Sequence, residues 1–296
     1  RSAGRSAGGR VARLPVRRLV TGTVAAVLLA STLALAGSAA VPAQRRRGFG
    51  GFGRFRELPT NMPWLYDGRF VFCRIAFRNA PYGDGGGWGV DYPRADLNFP
   101  FRLGELTEAP ISRDSRGEPN HVVVTLTDPH LFDCPFVMMT EPGGAYFDDD
   151  EAAKLREYLE KGGFLWADDF WGEYAWSVWE NEIRKALPSS EYPIVDLPPD
   201  HPIFNIQYLI KQIPQIPSIT FWFRSGFQTS ERGYDSAVPH VRAIMDHDGR
   251  VMVVMTHNTD FGDAFEREGE DRRYFDTFAA RGYGFGVNVF LYAMTH

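Results

Sequence analysis

Only two cysteines, Cys73 and Cys134, occur among the 296 residues. No Cys/His cluster at zinc spacing is present. Neither cysteine stands on a strand-to-helix elbow, so neither reads as a nucleophile. The body of the chain, from about residue 68, has no G-x-S-x-G elbow of the kind a serine hydrolase needs. Its glycine-rich loop, NAPYGDGGGWGVDYPRAD, carries neither G-x-G-x-x-G nor G-x-x-x-x-G-K-[ST], which speaks against a nucleotide-phosphate cradle and for an irregular loop or a lid. The body shows no internal repeat. Acid is missing altogether from residues 1–47, which hold nine arginines.

That last absence goes with an export pattern. Arg17 and Arg18 precede the apolar run LVTGTVAAVLLASTLALAGSAA and then small residues, the layout of a secretory signal. Residues 1–43 are therefore expected to be a signal, cleaved after Ala40 or Ala43, or else kept as an N-terminal anchor, since the run is just long enough to span a bilayer. Residues 44–67 read as a basic Gly/Phe linker, RRRGFGGFGRFR at its core, either a flexible spacer or a contact for anionic lipid or wall polymer. Setting the nine leader arginines aside takes the formal charge from −5 to −14. So acidic a body is no partner for nucleic acid. Its expected location is extracytoplasmic, and its protein partners are not legible.

Residues 68–296 read as one α/β domain organised around DDDEAAKLREYLEKGGFLWADDFW. Asp148 is placed to cap a helix, with Glu151 three residues on to complete a capping box. Ala152, Leu155, Tyr158 and Leu159 recur at helical spacing and make one apolar face. Gly162 and Gly163 end the helix. Phe164–Ala167 then has the length and composition of a buried strand, and Asp168 and Asp169 follow where it ends. Adjacent strand residues point to opposite faces, so one aspartate faces a given crevice unless the chain turns between them.

Further strands are expected at 70–77, 121–126, 135–140, 194–197, 218–224, 240–245 and 250–256, and further helices at 96–108, 173–187 and 286–294. Alternation of this kind calls for a mostly parallel sheet covered on both faces, a three-layer flavodoxin-like sandwich. Arg74, inside the first strand, would be costly in a fully buried strand unless paired. Cys73 and Cys134 are either a disulfide, if the strands at 70–77 and 135–140 are neighbours, or two buried thiols.

In an open parallel sheet the carboxyl ends of the strands line one crevice. Three polar clusters fall there: Thr140–Glu141, Asp168–Asp169, and His257–Asn258–Asp260. Asp168, Asp169, His257 and Asp260 are the candidate catalytic groups, as general acid, base or orienting acid. Glu141, Asn258, His201 in the DHPIF turn, and Tyr92 and Asn98 beside the glycine loop are candidate ligand contacts. All but Glu141 have a plainer alternative. The aspartates and Asn258 suit helix caps and polar turns, His201 suits a turn before a proline, and Tyr92 and Asn98 suit ordinary loop packing. No organic cofactor is called for and no metal-ligand spacing is present, although the Asp/His set leaves a divalent metal open.

Four blocks, DYPRADLNF, EAAKLREYLEKGGFLWADD, DHPIF and GRVMVVMTHNTDFGDAFE, together resemble the bacterial family called domain of unknown function 4159 over roughly residues 68–296. That family is similar in turn to ThuA-like proteins and class I glutamine amidotransferases, sharing the GGF strand, the HP turn and the GRV strand that ends near a histidine. The resemblance implies an amidotransferase-like sandwich and an envelope setting. In amidotransferases a cysteine occupies the elbow after the central strand. Asp168 and Asp169 stand there in this chain, and a carboxylate cannot form the thioester of glutamine hydrolysis. The functions this leaves are a pocket protein for a small polar or glycan ligand, a hydrolase built on Asp and His with or without a metal, and a scaffold subunit of an envelope complex.

Overall fold

The computed structural model describes residues 68–296. The signal and linker readings fall on residues 1–67 and lie outside the described residues. Among the described residues no helix is long and apolar enough to cross a membrane.

In chain order the elements are β1 (Phe72–Ala76), β2 (Arg78–Asn79), α1 (Arg94–Leu106), β3 (His121–Thr125), β4 (Phe136–Thr140), β5 (Ala145–Tyr146), α2 (Asp149–Glu160), β6 (Phe164–Phe170), α3 (Gly172–Ala186), β7 (Ile194–Asp196), α4 (Ile219–Arg224), β8 (His240–Met245), β9 (Val251–His257), α5 (Phe261–Glu266), α6 (Arg272–Tyr274) and α7 (Ala280–Thr295). Seven strands form one sheet in the order β3-β1-β4-β6-β9-β8-β7. The first five pair in parallel, while β8 runs antiparallel to both β9 and β7. β2 and β5 make a small separate ribbon.

Strand alternation builds the two cores. Phe72, Phe136, Met138, Phe164 and Trp166 face one layer, where Phe99 and Leu103 of α1 and much of α5 and α7 pack. Cys73, Ile75, Val137, Met139, Leu165 and Ala167 face the other, against Leu155 and Leu159 of α2 and Trp179 and Ile183 of α3. Helices thus cover both faces of a mostly parallel sheet, which is the expected α/β class.

The α2–β6 unit forms as its residues dictate. Asp148 accepts from the Glu151 amide (2.9 Å) and Glu151 accepts from the Asp148 amide (2.9 Å), so both arms of the capping box are made. Gly162, at φ +102°, carries the chain out of the helix, where a side chain would be strained. Leu155 is fully buried. Leu155→Ala is therefore expected to cost about 2–5 kcal/mol, read from urea unfolding curves. A wild-type curve would mean that this helix face is not the packed one.

Cys73 lies opposite Val137 across the β1–β4 pair, and Cys134 stands two positions before the first residue of β4. The two form a disulfide with Cα atoms 6.1 Å apart, which settles the choice between a bridge and two thiols. Arg74 finds its partner in Asp96 of α1.

The expectation of a strand over 218–224 is corrected. Ile219–Arg224 is a short helix, because the Ser218 hydroxyl caps it by accepting from the Phe221 amide. Ile219 and Trp222, three apart, supply its buried face. β6 also runs on to Phe170, so Asp168 and Asp169 lie within the strand rather than beyond it.

Candidate functional site

The site is built where the parallel strands end. Asp168 pairs across with Thr256 on β9, but the next pair is Phe170 with His257, and Asp169 is the extra residue of a bulge. Its φ of +62° lies in the left-handed region, where aspartate and asparagine are the tolerated types after glycine. The chain does turn between the two aspartates. Asp168 keeps the facing of Trp166, taking a hydrogen bond from the Thr256 hydroxyl at one oxygen and from the Gly262 amide of α5 at the other (2.9 Å). Asp169, turned by the bulge, accepts from the Trp171 indole (2.9 Å).

Two further carboxylates meet Asp169. Asp260 caps α5 by accepting from the Asp263 amide (2.6 Å). Asp91 ends the glycine loop, itself left-handed at φ +61°, just ahead of the cis Tyr92–Pro93 bond and α1. Asp91, Asp169 and Asp260 each offer an oxygen within 4.8 Å of the others, and all three are buried. Asp91 also belongs to a second such group, with Asp263 and Glu266. Oxygen donors at this spacing suit a hard divalent cation. Of the five non-glycine residues with positive φ among the described residues, four (Asp91, Glu141, Asp169 and Asn258) stand at or beside this edge. Such strain concentrates at functional sites.

Crowding acid in a dry place raises its pKa. Burial is the chief cause for every carboxylate here. Asp168 is pushed up to about 7, although the Thr256 hydroxyl and the amides of Gly262 and Phe261 pull the other way. Asp169 rises well above the usual range, with the charges of Glu141, Asp91 and Asp168 adding to burial. Asp260 rises for the same reason, with Asp169 and Asp91 as neighbours. Asp91 also rises well above its ordinary value. Asp263 adds to the effect of burial there, and Arg74 opposes it. Glu141 is held at about 7 by burial, offset by the amides of Gly87 and Gly86.

The other expected residues fall as follows. Glu141 clasps the glycine loop, accepting from the Gly87 amide (2.6 Å), and stays electrostatically joined to the cluster through Asp91 and Asp169. His257 is buried at the end of β9 but turns to other company. Its Nε2 meets the Gly172 carbonyl (3.1 Å), its Nδ1 meets Arg242 (3.1 Å), and Phe170 and Trp176 flank its ring. Burial lowers its pKa to about 4, so it is neutral. Neither carboxylate group includes it, although it stands on the strand beside Asp168 and Asp169, at the same edge of the sheet as expected.

Asn258 braces loops, accepting from the Gly172 amide (2.8 Å) and donating to the Val238 carbonyl (2.8 Å). The Asn98 amide donates to the Phe265 carbonyl (2.8 Å), tying α1 to α5. Tyr92 packs edge-on against Trp88 and His121. His201 caps the turn at 202–204 through the Ile203 amide and packs on Tyr292. All four make bracing or packing contacts within the fold.

Sequence reasoning does not reach Asp91. The loop's glycines draw the eye, and the one available signal is an aspartate closing a strand-to-helix loop just before an X-Pro bond. No curated protein matches the chain. The family described as Domain of unknown function (DUF4159) matches residues 76–294, from the end of β1 to the end of α7, and the chain belongs to that family.

Proposed function

We propose that this protein is an exported pocket protein that binds a small polar ligand at the carboxyl edge of its sheet. In this reading the fold is of the amidotransferase-like class with the nucleophile's place taken by aspartates. One observation carries it: Asp91, Glu141, Asp168, Asp169 and Asp260, from four separate stretches of chain, gather at the strand ends with their charges felt by one another. Acid so arranged selects a ligand rich in donors or positive charge.

Two exposed rings support a glycan among such ligands. Tyr82 rides on the glycine loop and Tyr174 on the first turn of α3, and the Tyr174 hydroxyl donates to the Tyr82 carbonyl. Both belong to segments next to the acid cluster, one through Glu141 and one through Asp169. The Cys73–Cys134 bridge supports export, since disulfides persist in oxidising compartments. Glu141 favours a second, hydrolytic reading, because a carboxyl group held near neutrality is suited to pass a proton.

A thermal-shift panel of neutral sugars, amino sugars and polyamines tests the reading. A raised melting temperature with one class, lost in Asp169→Asn and retained in His257→Gln after allowance for stability, is expected. A response that survives Asp169→Asn unchanged would put the ligand elsewhere.

A further inference from the structure

Asp91 has one oxygen, Oδ2, that is buried and accepts no hydrogen bond. An orphaned carboxylate oxygen in a dry interior is costly unless something absent satisfies it. The atom looks across Gly262. A Cβ built on that glycine would lie 2.2 Å from Asp91 Oδ2 and 3.4 Å from Asp260 Oδ1. Gly262 has an ordinary helical φ, so an L side chain would suit its backbone and it is the space that glycine keeps clear.

Cations nearby are committed to other groups. Arg74 gives Nε to Asp96, and its Nη1 goes to the carbonyls of Trp88 (3.2 Å) and Val90 (3.0 Å) and to the Thr140 hydroxyl (2.7 Å). Arg267 pairs with Glu266 (2.7 Å) and Asp263 (3.3 Å), the two members of the second carboxylate group other than Asp91. Among the described residues no arginine, lysine or histidine forms an ion pair with Asp91, Asp169 or Asp260. Among the described residues, three buried carboxylates within 4.8 Å thus lack an ion-pair partner, and the charge of Arg74 reaches only Asp91, without direct contact.

We propose that Asp91, Asp169 and Asp260 are the protein ligands of one hard divalent cation of the magnesium, manganese or calcium class. The donor set is oxygen only, which suits these ions and not the softer metals that favour nitrogen and sulfur. The ligands come from three rigid places: the loop end that Arg74 pins through Trp88 and Val90, the β6 bulge, and the cap of α5. Asp168 stands behind them, fixed by Thr256 and Gly262, and orients the α5 amides rather than the ion. This inference rests on the reading of the carboxyl edge as the binding site, and it makes the cation the first ligand of that site. A polar ligand would then meet the ion beneath the glycine loop.

The full chain, stripped with chelator and dialysed at pH 8, is to be titrated separately with magnesium, manganese and calcium chloride, with sodium chloride matched for ionic strength. Calorimetry and metal analysis after dialysis give affinity and stoichiometry. One ion per chain with at least one of the three salts is expected. Asp91→Asn should keep the fold, since it removes charge from a crowded site, and should weaken binding by about tenfold or more. Gly262→Ala, whose methyl group would displace Asp91, should do the same. Asp150→Asn, in the first turn of α2, should bind as wild type. Absence of stoichiometric binding by the wild-type chain would overturn the proposal, as would wild-type affinity in both Asp91→Asn and Gly262→Ala. The sugar and amine panel, run with and without each salt, separates this result from the broader reading. A ligand bound equally without the ion removes the cation and leaves the pocket.

Discussion

Arg74→Met is expected to cost about 3–5 kcal/mol, enough to leave much of the protein unfolded, because it strips the partner from a buried carboxylate. Arg74 and Asp96 are both fully buried. Nε of Arg74 lies 2.9 Å from each Asp96 oxygen, and Nη2 adds a further short contact. The same guanidinium holds two carbonyls of the glycine loop and Thr140 at the end of β4. One side chain thus joins β1, α1, β4 and the loop that ends in Asp91. Lysine cannot replace it, since a single ammonium does not reproduce a planar fork of donors. Urea unfolding of Arg74→Met, Asp96→Leu and the double variant measures the effect. Each single change should be severe, and the pair should recover a large part of the loss, because the double variant leaves no charge unpaired. Additive losses would show that the loop contacts, not the ion pair, carry the cost.

In chelator, stability is expected to fall by several kcal/mol between pH 5.5 and pH 8. A carboxyl group whose folded pKa lies above its unfolded one prefers to be neutral in the fold. Its contribution is complete below the unfolded value, near 3.8 for Asp168 and 4.5 for Glu141, and is lost as pH rises through the folded value, about 7 for both. Each unit of difference is worth about 1.4 kcal/mol, so between pH 5.5 and the folded value one such group supplies a loss of about 2 kcal/mol, and two or more together supply several. Asp91, Asp169 and Asp260 move in the same direction. His257 works against them. Its folded pKa, depressed to about 4, makes the fold lose stability as pH falls below the ordinary 6.5. One histidine opposes five carboxylates, so the acids set the slope. Urea midpoints at pH 5.5, 6.5, 7.25 and 8 with EDTA test it. A flat or rising profile would mean that the cluster is ionised and neutralised by the chain itself.

Much of the frame is legible in the sequence, because local rules and the global fold agree there. The Asp148–Glu151 capping box, the helix face through Leu155 and Leu159, and the strand from Phe164 are each specified by a few adjacent residues, and each forms as those residues require. Ile219–Arg224 misleads because ITFWFR has strand-like composition, whereas its conformation is decided by a single hydroxyl cap.

The site is harder to read. Alternation along a strand cannot reveal that Asp169 sits at φ +62°, and that rotation is what brings it to Asp91 and Asp260. His257 sits at the anticipated strand end, yet β8, running antiparallel beside β9, presents Arg242 and His240 to its ring. Asp91 depends on a loop pinned by Arg74 from another strand, a contact that no local pattern encodes.

The placing of β9 between β6 and β8 also sets an order in time. Asp168 receives its hydroxyl from Thr256, 88 residues further along the chain, and Asp260 lies beyond that. While the chain is being made, β1, β3, β4 and β6 can assemble with α1, α2 and α3, but the acid site does not yet exist. Until residues 251–257 arrive, β6 is an open edge whose seven side chains are all of the kind that end up buried. Such an edge invites pairing with a second unfinished chain. The segment that completes the site is thus the one that closes the most adhesive edge of the nascent protein, and a chain halted before Val251 would lack both its chemistry and its protection against self-association.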